Sequence, residues 1–401
     1  MKSSMKSTLC LVMIVKNESH IIGETLRCLI EKAPFQHWVI CDTGSTDGTQ
    51  DIIRETLKHI PGELHDVPWV DFGTNRTQVV ELAYGKTDYA LMFDADDTIE
   101  GRIPFPSHMT ADVYELLFRC VELEFHRSSV FNNRRKWKYV GVLHEYLEHA
   151  DGSMPTRSTV KGNYKCIART VGARSSDPDR FRKDALTLAA AFESNPTTYI
   201  RNRYAFYCAN SYRDCGMWPD ALKWYNKVLS LDGWTEERYV ACKRIYEIYS
   251  IMGTPELGLY ALVESFTYNK NRVECANYLV NYYLLKQNYK VAFKYYELLN
   301  PDFAKVDSSG FLMTEPIVSS FLFPYNMIIL ADRVKRHEIG IQMYGILFDR
   351  KVVPENHFYL KHLFGNATFF EPHMSAKQKK SFRRDLLQYK TLCKEKGFTD
   401  V

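Results

Sequence analysis

The sequence predicts an α/β region with a mainly parallel sheet, followed by an all-helical region. Two observations lead to this prediction. Early in the chain, apolar runs of strand length alternate with amphipathic stretches of helix length, an order typical of a parallel sheet covered by helices. After roughly residue 172, strand-like runs fade and long amphipathic helices dominate. A chain of 401 residues is long enough for two or three domains.

The first region opens with a predicted strand at Leu9–Val15 and a helix at 18–31, where apolar residues recur at helical spacing. Further strands are predicted at 38–41 and 89–93, and further helices at 49–58 and 74–83. The segments 113–125 and 137–148 have alternating apolar character and are predicted strands that return to the sheet. We expect this α/β domain to span residues 1–172.

The helical region contains an internal repeat. The segment ALKWY at 221–225 resembles AFKYY at 292–296, and GLYAL at 258–262 occupies the corresponding place, at intervals of 37 and 34 residues. This period is typical of tetratricopeptide repeats, whose helices bury their faces on neighbouring repeats. We expect such repeats at 173–300 and further helices at 301–401. Their tyrosines and tryptophans are interpreted as helix-pair core.

Composition indicates an ordinary globular protein. Apolar residues make up 45% and charged residues 25%, and the net charge of +4 disfavours a protein that coats nucleic acid. The ten cysteines are scattered singly, which favours a reducing compartment. No signal peptide and no membrane span is recognisable, so a cytoplasmic location is expected. The basic stretch at 377–384 is interpreted as a solvated face.

The segment YALMFDADD at 89–97 is the most informative part of the chain. Because side chains alternate along a strand, Asp94 and Asp96 are expected to leave its end on the same face. Neighbouring carboxylates repel each other unless a cation lies between them, so a hard divalent metal is one interpretation. A solvated turn is the other, since aspartate is common in turns.

Acidic residues follow three predicted strands. Glu18 follows the first, Asp42 ends the second, and Asp94 and Asp96 follow a later one. Strand carboxyl ends gather at one edge of a doubly wound sheet, where such proteins bind ligands. Asp42 could accept a hydrogen bond from a pyrimidine base, or could merely cap the helix that follows it.

Three segments resemble the nucleotide-sugar site of glycosyltransferase family 2, which has the GT-A fold: VMIVKNE at 12–18, VICDTGSTDGT at 39–49 and FDADD at 93–97. WKYVGVLHE at 137–145 is similar to an element that closes this site in one branch of the family. GARSSDP at 172–178, RYAFY at 203–207 and SYRDCG at 211–216 are similar to the tetratricopeptide domain fused to that branch. The resemblance covers residue 8 to about 300.

The resemblance implies roles for individual residues. Metal ligation is implied for Asp94, Asp96 and His144, and an imidazole among the ligands favours Mn²⁺ over Mg²⁺. Arg76 would approach the base or the phosphates, although it could equally be an exposed helix arginine. Contacts with the nucleotide sugar are implied for Val15, Asn17, Glu18, Asp42, Gly44, Arg76, Asp94, Ala95 and Asp96.

The activity that the resemblance implies is transfer of a hexose or N-acetylhexosamine, with inversion, from a nucleotide-diphosphate sugar, and the implied contacts with a uridine-type nucleotide favour a UDP-linked donor. The acceptor would be a peptide or protein, or else a glycan. Glu145 is the expected catalytic base and Asp97 the alternative, while Glu145 could equally support the metal site. The basic segment 134–136 could act as a mobile lid or be an exposed loop.

Two other functions remain open. A nucleotidyltransferase also joins an α/β sheet to aspartate-bound metal, but it would usually carry a glycine-rich phosphate loop where Lys16, Asn17 and Glu18 stand here. An inactive scaffold could instead act through its helical repeats, which could also form a homodimer.

Overall fold

A computed structural model of the chain describes residues 6–120, 123–194, 197–308 and 310–398. The chain divides into two compact units, Met1–Gly216 and Met217–Val401. The first unit contains a mainly parallel sheet with helices, and the second is helical, which confirms the predicted order of an α/β region followed by an all-helical region. Two helices assigned to the repeats by the sequence lie in the first unit. The predicted domain limits at 172 and 300 remain predictions.

The described residues of the first unit form eleven strands and five α-helices. The strands are β1 (Leu9–Val15), β2 (His37–Asp42), β3 (Gly62–Asp66), β4 (Tyr89–Met92), β5 (Thr98–Gly101), β6 (Val113–Cys120), β7 (Leu123–Asn132), β8 (Trp137–Val140), β9 (Tyr146–His149), β10 (Arg157–Thr159) and β11 (Tyr164–Ile167). The helices are α1 (Ile22–Lys32), α2 (Thr49–Leu57), α3 (Phe72–Ala83), α4 (Arg180–Ser194) and α5 (Thr198–Asp214).

Nine of these strands form one sheet in the order β3-β2-β1-β4-β7-β6-β11-β5, with β10 paired to β6. The four strands β3, β2, β1 and β4 are parallel, whereas β7 is antiparallel to β4 and to β6. In the register of β1 and β2, Val15 lies opposite Asp42. The residues that follow these strands therefore meet at one edge of the sheet.

The alternation of side chains along β1 divides the core between the two faces of the sheet. Leu11 and Met13 are fully buried with Leu26 of α1, whereas Val12 is fully buried with Val79 of α3. The two helices therefore cover opposite faces, as expected for a sheet with β-α-β connections.

The sequence was wrong about one later segment. Residues 137–148 do not return to the large sheet, because β8 and β9 pair with each other in a separate two-stranded sheet. The segment 113–125 is likewise divided between β6 and the start of β7. The short strands β3, β5, β10 and β11 were not predicted, since none has a long apolar run.

In its described residues the second unit contains nine further α-helices, and a large core cluster there extends from Tyr239 to Cys393. Trp224 and Tyr225 are buried, as expected for helix-pair core residues. None of the helices in the described part of the chain is long and apolar enough to cross a membrane. The helices are α6 (Trp218–Ser230), α7 (Thr235–Ile251), α8 (Leu259–Glu264), α9 (Glu274–Leu285), α10 (Tyr289–Tyr296), α11 (Phe323–Arg333), α12 (His337–Arg350), α13 (His357–Phe370) and α14 (Ala376–Glu395).

Candidate active site

The two carboxylate oxygens of Asp42, at the end of β2, differ in their hydrogen bonding. Its Oδ1 accepts hydrogen bonds from the backbone N–H groups of Gly44 at 2.8 Å and Ser45 at 2.7 Å. Gly44 has φ +102°, a conformation that favours glycine. Oδ2 is buried and has no hydrogen-bond partner among the described residues. A buried carboxylate oxygen without a donor is costly.

The loops after β1 and β2 are tied together by side chains. Asn17 has φ 56° and accepts from the backbone N–H of Thr46 at 2.8 Å. The N–H of Glu18 donates to Oγ1 of Thr49 at 2.8 Å, and the carbonyl of Val15 accepts from Thr43. In this structure Val15 and Asn17 therefore shape the edge of the sheet, which fixes the direction of Glu18.

Asp94 lies between two guanidinium groups. Its Oδ1 accepts from Nη2 of Arg76 at 2.6 Å, and its Oδ2 accepts from Nη1 of Arg127 at 2.9 Å. Burial alone would raise the pKa of Asp94, but Arg127 and Arg76 lower it to about 2. Asp94 is therefore a permanent anion whose oxygens are both occupied, and Arg76 is not an exposed helix arginine.

The two candidate bases differ in their surroundings. Asp97 is only 3% exposed, and burial together with the charge of Asp94 raises its pKa to about 8. It is therefore mostly protonated near neutral pH. The side chain of Glu145 is also buried, with Oε1 3.1 Å from Nε of Arg76. This ion pair links Glu145 to the same arginine that holds Asp94.

A second pair of carboxylates faces Gly172. The carboxylate of Glu18 accepts from the N–H of Ala173 at 3.1 Å, and the N–H of Gly172 bonds to Asp96. A Cβ atom added at Gly172 would lie 3.0 Å from Oδ2 of Asp96 and 3.3 Å from Oε1 of Glu18. Any other side chain at Gly172 would therefore crowd the two carboxylates.

These two carboxylates share a poorly hydrated environment. Burial raises the pKa of Glu18 to about 7, and the charge of Asp96 adds to the effect. Burial and the charge of Asp94 likewise raise the pKa of Asp96 above its ordinary value. Carboxylates that hold protons this tightly can also exchange them for a cation.

His144 lies against helix α5. Its ring stacks on Tyr207 of α5 with centroids 3.9 Å apart, and its carbonyl accepts from Nε of Arg203 at 2.8 Å. The residue remains solvent-exposed, but loss of water on the stacked side lowers its pKa, as do Arg203 and Arg174. The imidazole is therefore neutral near pH 7, the form that can ligate a metal.

The predicted metal ligands fit a cation in part. Among the described residues, no group of three histidine, cysteine or acidic side chains is arranged to hold a metal ion. Asp94 is occupied by two arginines, and His144 stacks on an aromatic ring. Asp96, with Glu18 beside it, is the carboxylate that fits a divalent cation whose other ligands come from a bound diphosphate.

Two arginines were missed by the sequence analysis. Arg127 lies on β7, far along the chain from Asp94. Nε of Arg169, in the segment after β11, donates to the carbonyl of Asp96 at 2.6 Å, and Nη1 pairs with Glu24 at 2.9 Å. Its Nη2 also reaches Thr25, whose hydroxyl donates to the carbonyl of Ala95 at 2.7 Å. Arg169 thus holds the main chain of residues 94–97, the acidic loop, against α1.

The sequence left two interpretations of the basic segment 134–136, a mobile lid or an exposed loop. Arg134 pairs with Asp88 at 2.8 Å, and Arg135 pairs with Asp112 at 2.9 Å. Both arginines remain largely exposed in these pairs. These contacts favour the interpretation of an exposed loop.

Comparison with solved structures finds weak overall likenesses. TarS 1-349 of S. aureus in complex with UDP-GlcNAc is 14% identical, with a TM-score of 0.35 over 64% of this chain and 90% of that one. Mannosyltransferase PcManGT from Pyrobaculum calidifontis, in complex with GDP-Man and Mn²⁺, is 13% identical, with a TM-score of 0.35 over 65% of this chain and 88% of that one. MamA 41-end from Desulfovibrio magneticus RS-1 is 14% identical, with a TM-score of 0.32 over 51% of this chain and 100% of that one. Likenesses of this size do not indicate a shared substrate.

A search of the curated proteins found no match. The model of the family described as "Glycosyl transferase family 2" matches residues 10–102. This segment includes Glu18, Asp42, Arg76, Asp94 and Asp96, whereas His144, Glu145 and the helical unit lie outside it. The α/β unit therefore contains a glycosyl transferase family 2 domain in residues 10–102.

Proposed function

We propose that the protein is an inverting glycosyltransferase that uses a nucleotide-diphosphate sugar, with a UDP-linked donor favoured. One observation carries the proposal. Within the segment that matches the family, Asp42 has a buried carboxylate oxygen without a donor, and the carboxylates of Glu18 and Asp96 converge on Gly172 after two other strands of the same sheet. A nucleoside supplies what this edge lacks, namely an N–H on the base and hydroxyl groups on the ribose.

The donor would lie along the carboxyl edge of the sheet. Oδ2 of Asp42 would accept from the imide N–H of uracil, and Glu18 would accept from a ribose hydroxyl. Gly44 and Ala95, which have small side chains or none, would let the nucleotide approach the backbone. Nη2 of Arg127, which has no partner among the described residues, would donate to an oxygen of the donor.

Asp96 would hold the divalent cation, Mn²⁺ or Mg²⁺. When bound, such a cation supplies Lewis-acid stabilisation of the departing diphosphate. Arg169 and the N–H of Gly172 keep Asp96 in place, and Arg76 and Arg127 keep Asp94 ionised next to it. The protein thus contributes fixed positive and negative groups that need no rearrangement during the reaction.

In the transfer step, the acceptor oxygen or sulfur forms a bond with the anomeric carbon while the bond from that carbon to the diphosphate oxygen breaks. The acceptor proton passes to Glu145, the proposed base. Asp97 is the weaker candidate because it holds its own proton until about pH 8. A peptide, a protein or a glycan could supply the acceptor group.

A thermal-shift panel of UDP-, GDP- and dTDP-sugars, each with and without Mn²⁺, tests the proposal. We expect the largest rise in melting temperature with a UDP-sugar in the presence of Mn²⁺. In the variant Asp42→Asn this rise should be smaller. Asp51→Asn, a change at an exposed position on α2, is its matched control. No stabilisation by any nucleotide sugar, with or without metal, would contradict the proposal.

A further inference from the structure

Helix α14 packs on the second unit through a narrow face. Phe382, Tyr389 and Cys393 are buried, at spacings of seven and four residues that place them on one side of the helix. The helix starts with a capping box at Ser375 and runs for 20 residues. The remaining circumference is mostly exposed.

The opposite side of α14 carries cations around one apolar residue. Residues 377, 380, 384, 387 and 394 follow one another at helical spacing, so they share the outward face. We call this set, Lys377, Lys380, Arg384, Leu387 and Lys394, the basic face. All five side chains are exposed, and Leu387 is 66% exposed. Arg384 pairs with Asp385 at 2.9 Å, and no acidic residue belongs to the face itself.

The charge of the whole chain is concentrated here. Residues 351–398 contain ten lysines and arginines against four acidic residues, a net charge of +6, whereas the full chain carries +4. The rest of the chain is therefore slightly acidic. A positive region of this kind attracts an anionic partner specifically to this end of the second unit.

We propose that the basic face of α14 binds an anionic lipid surface. Lysines and arginines on an exposed helix face attract anionic head groups, and Leu387 beside them can enter the boundary of the acyl chains. A nucleic acid would use the cations but would gain little from Leu387. Phe369, 55% exposed, adds an apolar group two residues before Glu371, which pairs with Arg383 of α14.

This inference goes beyond the proposed transferase activity and is tested without it. The full chain is sedimented with vesicles of phosphatidylcholine alone and of phosphatidylcholine with phosphatidylglycerol. We expect binding to the anionic vesicles only. Binding should weaken strongly as salt is raised from about 0.1 M to about 0.5 M, because added ions screen the lysines.

Two variants separate the contributions of charge and of apolar contact. Lys380→Gln with Lys394→Gln should weaken binding by roughly fivefold for each lysine, and Leu387→Ser should weaken it by roughly fivefold. The matched controls are Lys294→Gln with Lys305→Gln and, for the apolar change, Leu285→Ser, which also alter exposed residues of the second unit. Unchanged melting temperatures would show that all variants fold.

The controls should bind like the unaltered protein. Three results would overturn the proposal: equal binding to neutral and anionic vesicles, unchanged binding of both basic-face variants, or tighter binding to a single-stranded RNA than to the vesicles. The last result would assign the basic face to a nucleic acid instead.

Discussion

Arg127 and Asp94 face each other where β7 runs past the end of β4. In the antiparallel register of these strands, Leu91 lies opposite Val130. Asp94 follows Leu91 by three residues and Arg127 precedes Val130 by three, so the register continued beyond β4 sets them opposite each other. The observed distance of 2.9 Å between Nη1 and Oδ2 agrees with this geometry. The pairing of β4 with β7 therefore places the guanidinium group of Arg127 next to the acidic loop.

Replacing Arg127 by methionine should damage the site more than the fold. Asp94 would lose one of its two guanidinium partners and Asp97 its nearest cation, so we expect unfolding to become easier by about 2 kcal/mol, within the range for a partly exposed pair. Nucleotide-sugar affinity should fall at least tenfold. Denaturant unfolding and titration calorimetry measure the two effects. Arg119→Met, on the neighbouring strand β6, is the control and should change neither quantity appreciably.

The variant Asp42→Asn should lower nucleotide affinity without lowering the stability of the fold. The amide oxygen can still accept from Gly44 and Ser45, while the amide nitrogen replaces the unused Oδ2 with a donor. Stability should stay the same or rise slightly, because a buried carboxylate oxygen without a donor is removed. A base that offers an N–H would then meet another N–H, so nucleotide affinity should fall by about 10- to 100-fold. Retained nucleotide binding in a calorimetric titration would show that Oδ2 does not face the base.

The sequence predicts the site residues that follow parallel strands, but not those that lie on antiparallel strands. Glu18, Asp42 and Asp96 could be grouped in advance, because the carboxyl ends of parallel strands meet at one edge. Arg127 could not, since its place depends on the antiparallel pairing of β7 with β4, which no local pattern reveals. Arg127 also lies outside the strand predicted at 113–125, so the sequence analysis did not single it out.

The sequence also did not predict that the backbone at Gly172 approaches the acidic residues. Gly172 meets Asp96 and Glu18 from a segment far along the chain, and only the folded chain shows that a side chain there would crowd the two carboxylates. Residues 137–148 were wrongly joined to the large sheet because alternation predicts a strand but not its partner. His144 and Glu145 lie in the connection between β8 and β9, where His144 stacks on Tyr207 and Glu145 pairs with Arg76.

The raised pKa of Asp97 predicts a specific pH dependence of stability. The unfolded carboxyl ionises near pH 4, whereas the folded one keeps its proton until about pH 8, so the folded state binds more protons between these values. Raising the pH through this window therefore destabilises the fold, by at most about 1.4 kcal/mol per pH unit from this group. Asp97→Asn keeps the group neutral and should remove the penalty.

The stability of Asp97→Asn relative to the unaltered protein should accordingly increase from pH 5 to pH 8. Asp94 does not obscure the comparison, because its lowered pKa of about 2 keeps it ionised throughout this range in both states. Glu18 has a pKa of about 7 and acts in the same direction, but it is common to both proteins. Thermal melts at pH 5, 6, 7 and 8 measure the difference. A difference that is constant with pH would mean that Asp97 is already ionised at pH 5.

Glutamine at position 145 tests the assignment of the base. If Glu145 takes the acceptor proton, Glu145→Gln should lower kcat by about 10²- to 10⁴-fold while the nucleotide-induced thermal shift persists. The amide can still contact Arg76, whose Nε lies 3.1 Å from Oε1, so the shape of the site is kept. His144→Ala is the companion variant, because a metal ligand would instead raise the Mn²⁺ concentration needed for half-maximal rate. A fall in kcat for Asp97→Asn that exceeds the fall for Glu145→Gln would transfer the role of base to Asp97.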